Sequence, residues 1–95
     1  MQILWSPQAR DDFRELLQYI AKDNLYAARS VRERIEARVA ALPDNPAVGR
    51  PGRVQGTREL VVPGTPYLIP YRVRDNRLEI LRVYHGARRW PKQFE

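Results

Sequence analysis

Apolar residues recur along the first half of the chain at helical spacing. From Pro7 to about Asp23 they form one stripe, made of Ala9, Phe13, Leu16, Leu17 and Ile20. From Asn24 to about Leu42 the same spacing returns, with Ala28, Val31, Ile35, Val39 and Leu42. Because residues three and four apart share one face of a helix, the pattern predicts two amphipathic helices. Their short connection predicts an antiparallel hairpin with a shared apolar seam.

Turn-forming and capping residues set the limits of these helices. A short apolar run, Gln2 to Trp5, is predicted to be a strand and ends at Ser6 and Pro7. Serine is a favourable helix cap, and proline fits the first helical turn without losing a needed hydrogen bond. The second helix is expected to stop at Pro43. The segment from Pro43 to Gly56 is rich in proline and glycine and has little periodicity, so it is predicted to be a loop.

The rest of the chain has the pattern of a β-meander. Three extended segments are predicted, at Thr57–Val62, Tyr67–Val73 and Arg77–Tyr84, with a tight turn at Asp75-Asn76 between the last two. The fold class is therefore α+β, in the order β-α-α-β-β-β. A short N-terminal strand precedes an antiparallel helical hairpin that packs on an antiparallel sheet, all within a single domain of residues 1–95.

A two-residue turn at Asp75-Asn76 fixes the pairing of the last two strands. The expected partners are Val73 with Leu78, Arg72 with Glu79, Tyr71 with Ile80, Ile69 with Arg82, and Tyr67 with Tyr84. Pro70 cannot donate to a strand ladder, so a bulge or an exposed edge is expected there. Both faces of the sheet should carry apolar residues, and the one without helices should await a partner.

Three tyrosines of these strands are expected to share one face of the sheet. They are Tyr67, Tyr71 and Tyr84. Tyrosines in such strands more often pack in a core or against a partner than stack on nucleic-acid bases. We therefore interpret them as packing residues.

Cysteine content and hydropathy favour a soluble cytoplasmic protein. The chain has no cysteine, which argues against disulfides and thiolate metal sites and suits a reducing compartment. No secretory signal pattern begins the sequence, and no apolar stretch approaches the length of a membrane span. Walker loops, dinucleotide fingerprints and metal-ligand clusters are also missing from the sequence, so neither a cofactor nor a metal is expected.

The positive charge of the chain is concentrated in its second half. Residues 1 to 48 hold seven basic and seven acidic side chains, whereas residues 49 to 95 hold ten basic against four acidic, which accounts for the whole net charge of +6. Such asymmetry favours a surface for phosphates or for an acidic protein. Nine of the ten basic residues are arginines, which favours planar, bidentate contacts.

The element order and several short motifs resemble the RelE/ParE toxin superfamily. The motifs are Gly49-Arg50-Pro51-Gly52, Gly56-Thr57-Arg58-Glu59-Leu60, the Tyr67 to Arg72 strand, and Tyr84-His85-Gly86-Ala87-Arg88-Arg89-Trp90-Pro91. The resemblance implies the toxin of a type II toxin–antitoxin module for plasmid stabilisation, neutralised by a cognate antitoxin whose tail wraps the sheet and helices. An acidic, amphipathic antitoxin tail would suit the cationic half of the chain.

The superfamily divides by target, and the fold alone does not decide between the branches. RelE-like members are ribosome-dependent endoribonucleases that cut mRNA, whereas ParE-like members poison DNA gyrase. In the lysine/arginine type of nuclease, a catalytic strand arginine would fall on Leu68 and paired lysines on Glu59 and Val61. That set is missing, so the resemblance favours the ParE-like branch, with gyrase as target and no covalent chemistry.

A second nuclease arrangement stays open as the alternative. Cleavage of RNA needs a base, an acid and cations around the developing phosphorane charge. If the chain is an mRNA interferase, the candidate catalytic residues are Glu59, Arg72, Arg82, Tyr84 and His85, converging at one end of the sheet. His85 is the natural centre, since histidine titrates near neutrality. Equally, Glu59 could pair with a neighbouring arginine, and His85 could cap backbone groups or pack on Trp90.

Cationic and aromatic residues near the C-terminus are the best candidates for contact with a target or with the antitoxin. The set is Arg58, Tyr84, Arg88, Arg89, Trp90, Lys92 and Phe94. Arginine and tryptophan together are the usual anchors of protein interfaces. A frayed tail is the competing interpretation of the last residues.

Overall fold

The computed structural model describes residues 1–94 and has the predicted order of elements, with one short strand added and the last strand divided. Strand β1 (Gln2–Trp5) leads into helices α1 (Pro7–Asp23) and α2 (Leu25–Ala41), which pack against each other. A 3-10 turn follows at Leu42–Asp44. The remaining strands are β2 (Arg50–Pro51), β3 (Arg58–Val61), β4 (Tyr67–Arg74), β5 (Arg77–Ile80) and β6 (Tyr84–His85). In the described residues neither helix is long and apolar enough to cross a membrane.

Two side-chain caps define the helical hairpin. The hydroxyl of Ser6 accepts the Ala9 backbone N–H at 3.0 Å, and Pro7 occupies the first turn, as predicted. The side chain of Asn24 accepts the N–H of Ala27 at 3.0 Å, while the backbone N–H of Asn24 still donates to Ile20. One residue thus ends α1 and begins α2, which confirms the short connection expected from the sequence.

The sheet is mixed rather than purely antiparallel. Its strand order is β1-β5-β4-β3-β2, with β6 also pairing with β4. Strand β1 lies parallel to β5, a neighbour that the sequence pattern did not specify, and the other pairs are antiparallel. The predicted loop between Pro43 and Gly56 is not free of regular structure, since it contains the 3-10 turn and β2, which pairs with β3.

A bulge opposite Pro70 shifts the register of the last strand by one residue. The turn at Asp75-Asn76 has two residues with positive φ (54° and 58°), and the pairs next to it are as predicted. Beyond Tyr71 and Ile80, however, Leu68 pairs with Tyr84 and Tyr67 with His85. Three residues, 81 to 83, therefore face two, 69 and 70. The expected bulge is confirmed, and the expected pairs of Ile69 with Arg82 and Tyr67 with Tyr84 are wrong.

The shift places Tyr84 on the opposite face of the sheet from Tyr67 and Tyr71. The latter two face the helices, and they pack with a buried core that includes Ile35, Val39, Leu60, Ile69, Leu78 and Ile80. Tyr84 pairs with Leu68 and so projects from the other face, because alternate residues of a strand point to opposite sides. The predicted common face of the three tyrosines is wrong for Tyr84, because a one-residue slip exchanges the two faces.

The segment between helices and sheet is held by Tyr71 and Arg58. The buried hydroxyl of Tyr71 donates to the Pro46 carbonyl at 2.7 Å and accepts the Gly49 N–H at 2.9 Å. A Cβ atom at Gly49 would lie 2.6 Å from the Tyr71 ring, so this close approach requires glycine. Arg58 donates to the carbonyls of Ala47 (3.2 Å) and Gly49 (2.8 Å). The crossing segment is therefore fixed at a single position on the sheet.

Candidate functional site

Glu59 lies on the sheet face without helices, where its side chain is hydrogen-bonded to two arginines. Its side chain is 2% exposed, and Oε1 accepts from Arg50 Nε (3.2 Å) and Nη2 (3.0 Å) and from Arg53 Nη2 (3.2 Å). Oε2 accepts the backbone N–H (2.8 Å) and Nε (3.0 Å) of Arg53. Burial alone would raise the pKa of Glu59, but these hydrogen bonds to Arg53 and Arg50 prevail and lower it. A carboxylate stabilised in this way is a poor proton acceptor.

The strand arginines named as candidate cations are also paired with carboxylates. Arg72 Nε donates to Glu79 Oε1 at 2.6 Å, and Arg74 Nη2 approaches Glu79 Oε2 at 3.4 Å. The hydrogen bond from Arg72 lowers the pKa of Glu79. The pairing of positions 72 and 79 was predicted from the sequence, and the register confirms it.

Arg82 belongs to the bulge and bonds to the first helix. Its Nε and Nη2 donate to Asp12 Oδ2 (2.7 Å) and Oδ1 (2.9 Å), and the Val83 N–H donates to Oδ2 at 3.0 Å. The Ser6 hydroxyl donates to the Leu81 carbonyl at 2.8 Å. These bonds satisfy the backbone groups that a bulge removes from the strand ladder. The side chain of Arg82 is therefore committed to joining α1 to the sheet.

His85 stands on the other face of the sheet, toward the helices. It pairs with Tyr67, and the two rings meet edge to face with centroids 5.9 Å apart. Its Nδ1 accepts the Ala87 N–H at 3.0 Å, so His85 caps a backbone group at the end of the strand, one of the two roles expected for it besides catalysis. It packs on Tyr67 rather than on Trp90.

The five candidate catalytic residues do not converge on one point. Glu59 pairs with Pro70 and His85 with Tyr67, and positions 67 and 70 of β4 point to opposite faces. The suggested base and the suggested acid thus lie on opposite sides of the sheet. Glu59, Arg72 and Tyr84 share the face without helices, but the two charged members are each bound to an oppositely charged neighbour. The expected convergence is wrong as a matter of geometry.

The C-terminal tail, residues 86–94, packs on the face without helices. The Trp90 ring lies 5.1 Å from that of Tyr84, and the Phe94 ring lies 6.2 Å from Tyr84. Arg88 stacks on Tyr84 at 4.4 Å from the ring centre, and Arg53 stacks on Trp90 at 3.8 Å. The candidate contact residues therefore gather around a buried tyrosine, and the interpretation as a frayed tail is not supported by these contacts.

The remaining candidate contact residues lie in two different places. Arg89 and Lys92 are exposed beside the aromatic cluster. Arg58 is half-buried on the helix side and holds the crossing segment. Ion pairs and the protein's own tail thus cover part of the sheet face without helices, while Val61 on the same face stays exposed. This agrees with the partly covered apolar face expected from the sequence, although the tail takes the place of a separate partner over part of it.

A second surface, an open groove, runs between the helical hairpin and β1. Its floor is apolar and includes Ile3, Trp5, Phe13, Leu17, Ala28 and Val39. Trp5 and Phe13 stack with ring centroids 5.4 Å apart. Four arginines and one glutamate also line it, namely Arg10, Arg14, Arg29, Arg32 and Glu36. Among the described residues strand β1 is at the edge of the sheet, so its outer backbone groups have no strand partner.

The groove arginines and Arg53 were not identified from the sequence. The groove arginines lie in the half of the chain with zero net charge. Because acidic residues elsewhere in that half balance them, the net charge does not reveal that these arginines gather on one side of the helices. Their spacing, 10 and 14 on α1 and 29 and 32 on α2, was a usable signal because residues three or four apart share a helix face. Arg53, the arginine that joins Glu59 to Trp90, lay in a predicted loop and carried no periodic signal.

Comparisons with known proteins agree with this fold. Residues 3–90 match the family model described as the ParE toxin of the type II toxin–antitoxin system parDE. The chain therefore belongs to the ParE toxin family, within the RelE/ParE superfamily that the sequence motifs indicated. Membership of this family implies a cognate antitoxin as a partner.

Similar proteins span nearly the whole chain. A Sinorhizobium fredii protein named as a toxin, Y4kP, is 45% identical over 91 residues, covering 96% of this chain and 94% of that protein. Toxin RelE2 of Caulobacter vibrioides is 31% identical over 87 residues, covering 92% and 97%. A solved structure titled chromosomal ParDE TA system from P. aeruginosa superimposes with a TM-score of 0.79 at 27% identity, covering 90% of this chain and 95% of that one.

Proposed function

We propose that this toxin arrests growth by binding DNA gyrase, without covalent chemistry of its own, and that a cognate antitoxin neutralises it. The proposal rests on the burial, the hydrogen bonds and the position of Glu59. Its carboxylate is buried and accepts hydrogen bonds from two arginines, and it lies on the opposite face from His85. A base and an acid for RNA cleavage must both reach one phosphodiester.

The tail supplies a surface suited to a protein target. Exposed Arg89 and Lys92 flank a cluster in which Arg88 and Trp90 pack on Tyr84. Interfaces are enriched in tryptophan, tyrosine and arginine at their centres. Arg82 and Arg72, by contrast, are bound to carboxylates and are poorly placed to neutralise a phosphorane.

For the antitoxin, the groove between the hairpin and β1 is the best-suited surface. An amphipathic, acidic segment would bury its apolar face on Trp5, Phe13 and Leu17 and place carboxylates against the arginines at the rim. Charge complementarity of this kind raises the association rate and excludes wrong partners. The gyrase contact and the antitoxin contact would then occupy different parts of the molecule.

A ribosome-dependent mRNA interferase is the second candidate, favoured by the similarity to a protein named RelE2. The two functions separate in cells that express the toxin without antitoxin. If it binds gyrase, plasmid DNA isolated soon after induction is relaxed or broken while mRNA 5′ ends are unchanged. New mRNA ends at codon positions, with normal plasmid topology, would instead establish the nuclease. Unimpaired growth at equal toxin levels would refute both.

A further inference from the structure

We propose that Glu59 and Arg53 are positioning residues, which hold the C-terminal tail against the sheet in the form that contacts the target. The effect of these two residues on the order of the tail is inferred from contacts within the chain. The effect on toxicity rests on the proposed function. Neither residue touches the target in this scheme, because both act through Trp90.

Arg53 joins the buried carboxylate to the tail through two different parts of one guanidinium. The edge of the group, through Nε and Nη2, donates to Glu59. Its central carbon, Cζ, lies over the Trp90 ring, 3.8 Å from the ring centre. A planar guanidinium can donate two N–H groups in its plane and stack its face on an aromatic ring at the same time, whereas an ammonium group has neither the planar fork nor a flat face to stack. Glu59 therefore sets the orientation of the surface on which Trp90 rests.

Apart from its aromatic contacts with Tyr84, the tail has few hydrogen bonds to hold it. Gly86 N–H donates to Pro66 at 2.8 Å and Arg88 N–H to His85 at 3.0 Å, but in residues 89–94 no further main-chain hydrogen bond is formed. Trp90 even leaves its own indole N–H buried without an acceptor among the described residues, which disfavours the docked tail. Because few hydrogen bonds hold the tail, the contact between Arg53 and Trp90 should contribute strongly to keeping it docked.

Arg50 provides a matched control within the same ion cluster. Like Arg53, it donates two side-chain hydrogen bonds to Glu59, but the guanidinium that lies over the Trp90 ring is that of Arg53. Arg50→Gln and Arg53→Gln thus remove the same number of side-chain bonds from one carboxylate. Only the second should release the tail.

Fluorine NMR of the full chain labelled with 5-fluorotryptophan tests the inference, because Trp5 and Trp90 are its only tryptophans. In Arg53→Gln the Trp90 resonance should move and sharpen while that of Trp5 stays, and trypsin should cleave at Arg88 and Arg89 about ten-fold faster. Arg53→Lys should behave like Arg53→Gln, and Arg50→Gln like the wild type. Equal behaviour of Arg50→Gln and Arg53→Gln, or full retention of tail order by Arg53→Lys, would overturn the inference.

A parallel gyrase supercoiling assay separates this inference from the proposed function. A released tail with weakened gyrase inhibition supports both. A released tail with full inhibition supports the holding of the tail by Arg53 and overturns its part in toxicity. An unchanged tail overturns the positioning role whatever the inhibition.

Discussion

Asp12 on the first helix and Arg82 in the strand bulge, seventy positions apart, form a two-pronged ion pair with N···O distances of 2.7 and 2.9 Å. The same carboxylate accepts the Val83 N–H, so three donors of the bulge depend on one side chain of α1. The pair is mostly buried, with side-chain exposures of 25% for Arg82 and 11% for Asp12. This contact joins the helical layer to the sheet at the point where Pro70 interrupts regular pairing.

Asp12→Ala should lower the free energy of unfolding by about 2–3 kcal/mol, since it leaves Arg82 and the Val83 N–H without their acceptor. Urea denaturation measures the loss. Asp11→Ala is the matched control, because Asp11 is exposed and its ion pair is with Arg14, one helical turn away. Its expected effect is below about 0.5 kcal/mol. Equal losses from both variants would contradict the structural role of the pair.

The hydroxyl of Tyr71 is expected to stabilise the crossing segment. Tyr71→Phe removes the bonds to Pro46 and Gly49 and should cost about 1–3 kcal/mol, because both partners lose a buried bond. Thermal or urea unfolding measures this cost. Tyr67→Phe, at a position where burial raises the pKa of the tyrosine but no hydroxyl hydrogen bond is formed among the described residues, should change stability by less than about 0.5 kcal/mol. The reverse order would refute the assignment.

The stability contributed by Glu59 should depend on pH in a defined direction. Its pKa is lowered in the folded state from an ordinary value of 4.5, so the stabilisation is fully present above pH 4.5. It is lost as the pH falls through the lower, folded-state value. The difference in unfolding free energy between wild type and Glu59→Gln should therefore be constant near neutral pH and shrink in acid. A difference that grows on acidification would mean that the pKa is raised.

Replacing His85 by a residue that cannot titrate tests its proposed chemistry. His85→Asn offers an amide oxygen to the Ala87 N–H in place of Nδ1 and removes any acid function. Growth arrest after induction should persist at close to wild-type strength. Loss of toxicity with undiminished antitoxin binding and stability would favour the nuclease.

The groove arginines should govern affinity for the antitoxin. Arg32→Glu reverses a charge at the rim and is expected to raise the dissociation constant about ten-fold or more, measured by calorimetry at low salt. Lys22→Glu makes the same reversal outside the groove and should change it little. If both reversals weakened binding equally, net charge rather than the groove would control the affinity.

The sequence predicts most of the fold because its signals are local. Helical periodicity and the capping residues Ser6 and Asn24 locate both helices, and the turn at Asp75-Asn76 sets the register next to it. The bulge opposite Pro70 was also anticipated. The effect of this bulge on the register was not anticipated. Its one extra residue moves Tyr84 to the other face of the sheet.

The site was harder to predict because its contacts are distant in sequence or lie in irregular segments. Nothing local to Asp12 or Arg82 indicates that they meet, and Arg53 reaches Trp90 from a segment without periodicity. The tail residues were identified from composition, whereas their arrangement around Tyr84 depends on the register shift. Several arginines that composition alone suggests are free to bind phosphate are instead paired with carboxylates of the same chain.

Gyrase binding is tested most directly by the supercoiling of relaxed plasmid by purified gyrase in the presence of increasing amounts of the toxin. We expect inhibition that rises with toxin concentration, is preserved in His85→Asn and is reversed by the cognate antitoxin. Supercoiling that continues undisturbed at a toxin concentration sufficient to cleave mRNA on translating ribosomes would contradict it.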